Sequence, residues 1–351
     1  MDNVPYDILV EILEWIIEPE QGDFSRFETQ WPFDVLHDAP LRSSRAQTHL
    51  QACCLVCRWW RVVAQPILQE HLCWSSSEGR VAVENLLKVD RVASKVTTIE
   101  AGRTYCELCD IDGPCSCGIS IQTVSTLATF PRLTRLAIHI WSGLNVALSI
   151  PSTPIRAFPQ LTTFRILCSN NYGGRVPLRT FCLILQLMPA LHTLSIGDIS
   201  NTSSDTISDI PYPPCRLRSF AVSDARGVEF QSYDWILHNS KNSLQTLYGY
   251  RISPASQASL LRAIPHLGAA LREFRCLGCW ESDVVLSVLQ HCHKLEALAC
   301  CNGPNILHDL ANVACAKTLR RFTATKMRRT VSTGPLGYVL GDDYNEVIMR
   351  F

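Results

Sequence analysis

One hexapeptide pattern governs what this chain can fold into. A unit of the form Leu-x-x-(Leu/Phe)-x-apolar recurs along the sequence, with Gly249 breaking the pattern of its copy. It runs Leu133-Thr-Arg-Leu136-Ala-Ile138, Leu161-Thr-Thr-Phe164-Arg-Ile166, Leu191-His-Thr-Leu194-Ser-Ile196 and Leu217-Arg-Ser-Phe220-Ala-Val222. It continues as Leu244-Gln-Thr-Leu247-Tyr-Gly249, Leu271-Arg-Glu-Phe274-Arg-Cys276, Leu295-Glu-Ala-Leu298-Ala-Cys300 and Leu319-Arg-Arg-Phe322-Thr-Ala324. Val96-Thr-Thr-Ile99-Glu-Ala101 is a degenerate earlier copy. The spacings from Leu133 onward are 28, 30, 26, 27, 27, 24 and 24 residues. A self-similar period in this range signals a stacked array, in which each unit buries its apolar face only against its neighbours.

Each unit predicts a short strand whose first, fourth and sixth residues point inward. Helical stretches are expected before the strands, over 121–130, 178–188, 233–238, 258–264 and 284–290. The alternation of strand and helix predicts an α/β chain. The period and pattern resemble leucine-rich repeats, so a strand–helix solenoid over 96–330 is the implied architecture. Of the ninth positions, Cys279 fits that family, whereas Ile199, Ala225, Ile252, Gly303 and Met327 depart from it. The remaining strand positions are expected to line the concave face, either as a binding surface or as simple surface decoration. Among them Tyr248, Tyr250, Glu273 and Arg275 form the most interface-like cluster, because Tyr and Arg are enriched at binding hot spots.

Before the array, Val4-Pro5 opens an amphipathic helix in which Ile8, Leu9, Ile12, Leu13 and Ile16 form one stripe. Residues 18–47 have no period and predict a long loop. A second helix is expected over 50–64, with Leu50, Cys53, Cys57, Trp60 and Ala64 on one face. Pro66 is expected to break it, and Ile67–Leu72 to form a short third helix. A helical linker is expected over 73–95, and residues 331–351 read as an end segment.

The order Val4-Pro5-x-x-Ile8-Leu9-x-x-Ile12-Leu13, then Leu55-Val56-Cys57-x-x-Trp60-Arg61-x-x-Ala64-x-Pro66-x-Leu68, resembles the F-box. Its departures are Val4 in place of the usual Leu and an insertion at about 18–49. The resemblance implies a helical module over 1–72 that docks on a Skp-type adaptor, and through it on a cullin. Pro5, Ile8, Leu9, Ile12, Leu55, Val56, Trp60 and Pro66 are the implied docking residues. The repeats would then recruit a target protein to a ubiquitin ligase. The competing reading is a repeat scaffold without ligase role, whose first helices cap the array.

The 17 cysteines include the adjacent pairs Cys53-Cys54 and Cys300-Cys301, which do not suit a disulfide framework. Most are expected to be buried thiols. Cys106, Cys109, Cys115 and Cys117 crowd into an insertion at 102–118. Four sulfurs there suit tetrahedral zinc, a redox-labile loop, or an insertion without function. No other cofactor is expected, and no catalytic motif is present: there is no G-x-S-x-G, no phosphate-binding glycine loop and no H-E-x-x-H.

Charge is balanced, with 32 Lys plus Arg against 32 Asp plus Glu, which disfavours a dedicated nucleic-acid binder. Locally it is uneven: residues 1–40 hold ten acids and one base, and residues 316–330 hold six bases and no acid. No apolar run reaches the ~20 residues of a membrane span, and the N-terminal residues do not look like a secretion signal. An intracellular chain, cytoplasmic or nuclear, with protein partners and neither membrane nor nucleic acid, is the expectation.

Overall fold

The computed structural model describes residues 8–9, 13, 44–74, 93–101, 127–140, 157–168, 176–197, 199–200, 207–223, 233–250, 252–277, 282–301, 318–334 and 337–350. The chain divides into two compact units, Met1–Gly174 and Arg175–Phe351. Both mix helix and strand, as the alternating pattern predicts.

The first unit opens with helical residues Ile8, Leu9 and Leu13, followed by α1 (Ser44–Val56) and α2 (Arg58–Glu70). A parallel sheet follows: β1 (His71–Trp74), β2 (Thr98–Ala101), β3 (Arg135–Ile140) and β4 (Thr163–Cys168), in that order. The second unit contains β5 (Val176–Pro177), α3 (Leu178–Leu185), β6 (Thr193–Gly197), β7 (Ile199–Ser200) and β8 (Ser219–Ser223). It continues with α4 (Tyr233–Ile236), β9 (Thr246–Tyr250), α5 (Pro254–Leu267), β10 (Glu273–Leu277) and α6 (Ser282–His291). Finally come β11 (Ala297–Cys301), β12 (Arg321–Gly334) and β13 (Gly337–Arg350). Strands β6, β8, β9, β10, β11 and β12 pair in parallel, and β13 returns antiparallel on β12. The expected end segment is therefore half of a hairpin.

Every copy of the hexapeptide becomes a strand, and the copies align in phase. Arg135 pairs with Thr163, and Thr246 pairs with both Ser219 and Glu273. A one-residue slip would turn every apolar residue to the wrong face, so the pattern itself fixes the register. The inward positions are dry: Leu161, Leu191, Leu217, Leu244, Leu271 and Leu295 are fully buried, as are Phe164, Phe220 and Phe274. Burying each such side chain contributes about 1.5–3 kcal/mol.

A backbone clasp accompanies each copy. The N–H groups of Thr134 and Arg135 both donate to the Thr97 carbonyl, and those of Thr162 and Thr163 to Thr134. In the second unit Arg218 and Ser219 donate to His192, and Gln245 and Thr246 to Arg218. Arg272 and Glu273 then donate to Gln245, Glu296 and Ala297 to Arg272, and Arg320 and Arg321 to Glu296. At each step the second and third residues of one copy hold the second residue of the copy before. Threonine hydroxyls add to it in the first unit, where Thr134 Oγ1 donates to Thr97 and Thr162 Oγ1 to Thr134.

The expected helices at 178–188, 233–238, 258–264 and 284–290 correspond to α3, α4, α5 and α6; of the one expected over 121–130, residues 121–126 lie outside the described residues. α5 starts where Ser253 accepts a hydrogen bond from the Ser256 N–H and Pro254 fills the first turn.

The N-terminal helices differ from expectation in four places. Helix α1 begins at Ser44, inside the expected loop, whose residues 18–43 lie outside the described residues. The single helix expected over 50–64 is two, because Cys57 adopts an extended backbone (φ −161°, ψ 172°). The Arg61 Nε then donates to the Cys54 carbonyl at 3.0 Å, satisfying an orphan acceptor at the end of α1. Pro66 does not end α2, which runs on to Glu70. A mid-helix proline forfeits one hydrogen bond. Ile67 and Leu68, packed against the module core beyond it, hold the last turn in place. The expected third helix is not a separate one: Ile67–Glu70 continue α2, and only His71 and Leu72 leave it, for the strand His71–Trp74, where Leu72 and Trp74 fall in register with Ile99 and Ala101. Of the expected linker, residues 75–92 lie outside the described residues.

Candidate functional site

The three N-terminal helical pieces make their own small core. Leu9, Leu13, Leu50, Cys53, Val63 and Ala64 are buried together, and Cys54, Trp60, Ile67 and Leu68 pack against them. α2 shows how the division arises. Trp60, Val63, Ala64 and Ile67 repeat at helical spacing and face this core. Trp59, Val62 and Pro66 repeat at the same spacing on the other side and are exposed.

The exposed side is strongly apolar. Leu55 is 79% exposed, Val56 60%, Val62 53%, Trp59 47% and Ile8 46%. Among the described residues the only other exposed large hydrophobic is Tyr212. Scattered exposed apolar residues are ordinary, but here five of the six exposed large hydrophobics among the described residues lie on one short module. Leaving each in water forgoes about 1.5–3 kcal/mol of burial.

The expected docking residues thus separate. Ile8, Leu55, Val56 and Pro66 are exposed, while Leu9 is buried and Trp60 is half-buried against the core. The latter two hold the module together. Pro5 and Ile12 lie outside the described residues. Trp59 and Val62 were missed by the sequence reading. The signal for them was helical phase alone, which sets both apart from the stripe of Leu50, Cys53, Trp60 and Ala64. Burial pushes the Cys53 and Cys54 thiols up, with Arg61 partly offsetting the effect at Cys54.

The second expected surface is altered. Tyr248, Tyr250, Glu273 and Arg275 do lie on neighbouring strands, with Tyr248 in register beside Arg275. The tyrosines, however, are 1% and 7% exposed, so they do not face solvent as expected. Their partners across β8 are the small Ala221 and Ser223. At a strand spacing of about 4.8 Å a large ring covers a small neighbour, and a parallel sheet commonly buries both faces. Ser195, Ala221 and Ser223 on that face are buried too. Glu273 is the hub of an ion cluster: its Oε1 lies 2.6 Å from the Arg275 Nη2 and 3.0 Å from the Arg321 Nη2. One carboxylate against two guanidiniums leaves positive charge at this edge.

The cysteine readings divide in the same way. Cys106, Cys109, Cys115 and Cys117 lie outside the described residues, as does Cys279. Cys276 is fully buried and lies 3.2 Å from the Ala299 carbonyl, which suits core packing. Among the described residues no group of three or more His, Cys, Asp or Glu side chains can hold a metal ion. Among the same residues no helix is long and apolar enough to cross a membrane.

No protein-family model matches the chain, and no curated protein matches it either.

Proposed function

We propose that the chain is a substrate-recognition adaptor of a Skp–cullin–F-box ubiquitin ligase. The N-terminal module would dock on the Skp-type adaptor and the repeat units would recruit a target protein. The chain would carry out no chemistry itself; it would raise the target's effective concentration at the ligase. The observation that carries this reading is the exposed set Leu55, Val56, Trp59 and Val62 on a module with a separate core. A helical surface of this kind supplies apolar anchors to a groove on a partner. The sequence Leu55-Val56-Cys57-x-x-Trp60-Arg61 has a physical sense in the same frame. Cys57 makes the break, Trp60 closes the core and Arg61 caps α1, which together turn Leu55, Val56 and Trp59 outward.

The scaffold alternative draws on a different observation. α2 leads straight into β1, and the Thr97 N–H bonds the Glu70 carbonyl at 3.0 Å, so the module also adjoins the sheet. A cap would do the same.

Co-expression of the full chain with a Skp-type adaptor, followed by pull-down, separates the two. Stoichiometric capture is expected for the wild type. Val56→Asp/Trp59→Ala is expected to lose capture while keeping the wild-type circular dichroism. Trp60→Ala is expected instead to lower the stability of the module by about 2–3 kcal/mol, less than a fully buried Trp→Ala because the ring is only half-buried. Failure of a folded wild-type chain to capture the adaptor, or equal capture by the surface variant, would overturn the adaptor reading.

A further inference from the structure

The second unit carries an open cleft of about 950 Å³ that none of the foregoing uses. Its walls are the segment 207–212, the α4 region and α5. This is within the range of sites that hold a small molecule or a short peptide.

The first wall is fixed in place by its neighbours. Gln186 Nε2 donates to the Pro211 carbonyl at 2.7 Å, Trp235 Nε1 to Ile210 at 3.1 Å, and Asn239 Nδ2 to Pro213 at 2.7 Å. Arg179 grips Asp209 with two hydrogen bonds of 2.7 and 2.6 Å. A segment that has no regular structure is thus tied to α3 and the residue after it, and to α4 and the residues that follow it, so the cleft is formed before any ligand arrives. Preorganisation of this kind lowers the entropic cost of binding.

The chemistry of the lining is specific. Tyr212 is 51% exposed and stacks on His238, ring centroids 3.6 Å apart and planes 4° apart. The stack fixes the orientation of the ring. Lys241 and Arg262 line the cleft, with His238 and His266 beside them. The opposing carboxylates are Asp209, already engaged by Arg179, and Asp234. Beyond the Arg179–Asp209 pair the lining therefore holds two cations, Lys241 and Arg262, against one carboxylate, Asp234.

We propose that this cleft takes an anionic peptide segment, with Lys241 and Arg262 pairing its carboxylates or phosphates while Tyr212 packs against an aromatic or prolyl side chain. Within the adaptor reading the cleft would be a grip for a target; the binding itself is independent of adaptor docking and is measured without it. Carboxylate and phosphate share this chemistry, because both accept charge-assisted hydrogen bonds from Lys and Arg.

The test is fluorescence anisotropy with the full chain and three labelled peptides carrying one Tyr-Pro pair: a Glu-rich one, a phosphoserine one and a Lys-rich one. Saturable binding of at least one anionic peptide and none of the Lys-rich peptide is expected; the stronger of the two anionic peptides identifies the source of charge. Lys241→Glu/Arg262→Glu is expected to weaken binding by about tenfold or more, and Tyr212→Ala by severalfold. Arg216→Glu/Lys294→Glu makes the same charge change at two exposed residues outside the cleft and is expected to leave affinity unchanged. No saturable binding of either anionic peptide, equal loss in the control variant, or displacement by a single-stranded oligonucleotide of equal charge at lower concentration would overturn the proposal. None of these outcomes depends on whether the adaptor is captured.

Discussion

Replacing Gly268 by alanine tests how closely the ends of α5 and α6 approach each other. Gly268 follows α5 with φ −61° and ψ −23°, a conformation that any residue adopts. Judged by backbone alone, Gly→Ala here stabilises by about 0.4–1 kcal/mol, because the unfolded chain loses freedom. The structure dictates the opposite sign. A Cβ at this position would overlap the His291 carbonyl oxygen and lie 2.7 Å from its carbon. Ordinary carbon–carbon contact is about 3.5–4.0 Å, so the end of α6 would have to retreat by about 1 Å. The obstacle is backbone, which cannot swing aside as a side chain does. Overpacking of this kind costs about 1–3 kcal/mol. For a unit the size of Arg175–Phe351, each kcal/mol lowers the midpoint by about 2–4 °C. Thermal melting followed by circular dichroism should therefore show Gly268→Ala melting about 2–12 °C below wild type. A midpoint equal to or above the wild type would refute the close approach of α5 and α6.

Two further predictions concern titrating groups. Burial pushes the Cys215 thiol up to about 11. At pH 8 it therefore stays protonated, and brief alkylation of the folded chain should label the exposed Cys57 but not Cys215, as read by peptide mass spectrometry. Labelling of Cys215 as fast as Cys57 would sink this expectation. At Asp209, the Arg179 hydrogen bonds hold the carboxyl below its ordinary value of 3.8. Its contribution to stability is thus present above the ordinary carboxylate range and is lost as pH falls through the lowered midpoint. The carboxyl shift followed by NMR should titrate below pH 3.8 in the wild type and return to the ordinary range in Arg179→Gln; an unchanged midpoint would refute the pairing.

How far the sequence could be read varied with the physics involved. The hexapeptide copies were legible because a strand of period two with fixed apolar positions leaves one register, and each copy from Val96 to Leu319 lies on a strand. What the second face of those strands does was not legible. Tyr248 and Tyr250 alternate with apolar residues as partner-facing residues would, yet burial there depends on which side chains stand beside them on other strands. Ala221 and Ser223 are distant in sequence and enter only through the register. In the N-terminal module the motif residues could be found but not assigned. A helix drawn unbroken through Cys57 puts Trp60 on the same stripe as Leu50 and Cys53. That assignment survives the break: Trp60 is half-buried against the module core and Trp59 is the exposed one of the pair. Cys57 carries no proline or glycine to announce the interruption. Pro66 misled in the other direction: it is a strong local signal, overridden by packing of the residues that follow it.

The backbone clasp has a bearing on how such a chain could change over time. The bonds use main-chain groups, so the second residue of each copy is free to vary. It is Thr97, Thr134, Thr162, His192, Arg218, Gln245, Arg272, Glu296 and Arg320 along the array. Proline alone is barred from the second and third places of a copy, since it has no N–H to offer. Within each unit every clasp reaches one copy back and no further. A whole copy could thus be gained or lost by duplication or deletion, and the new neighbours would meet with the same donors and acceptor already in place.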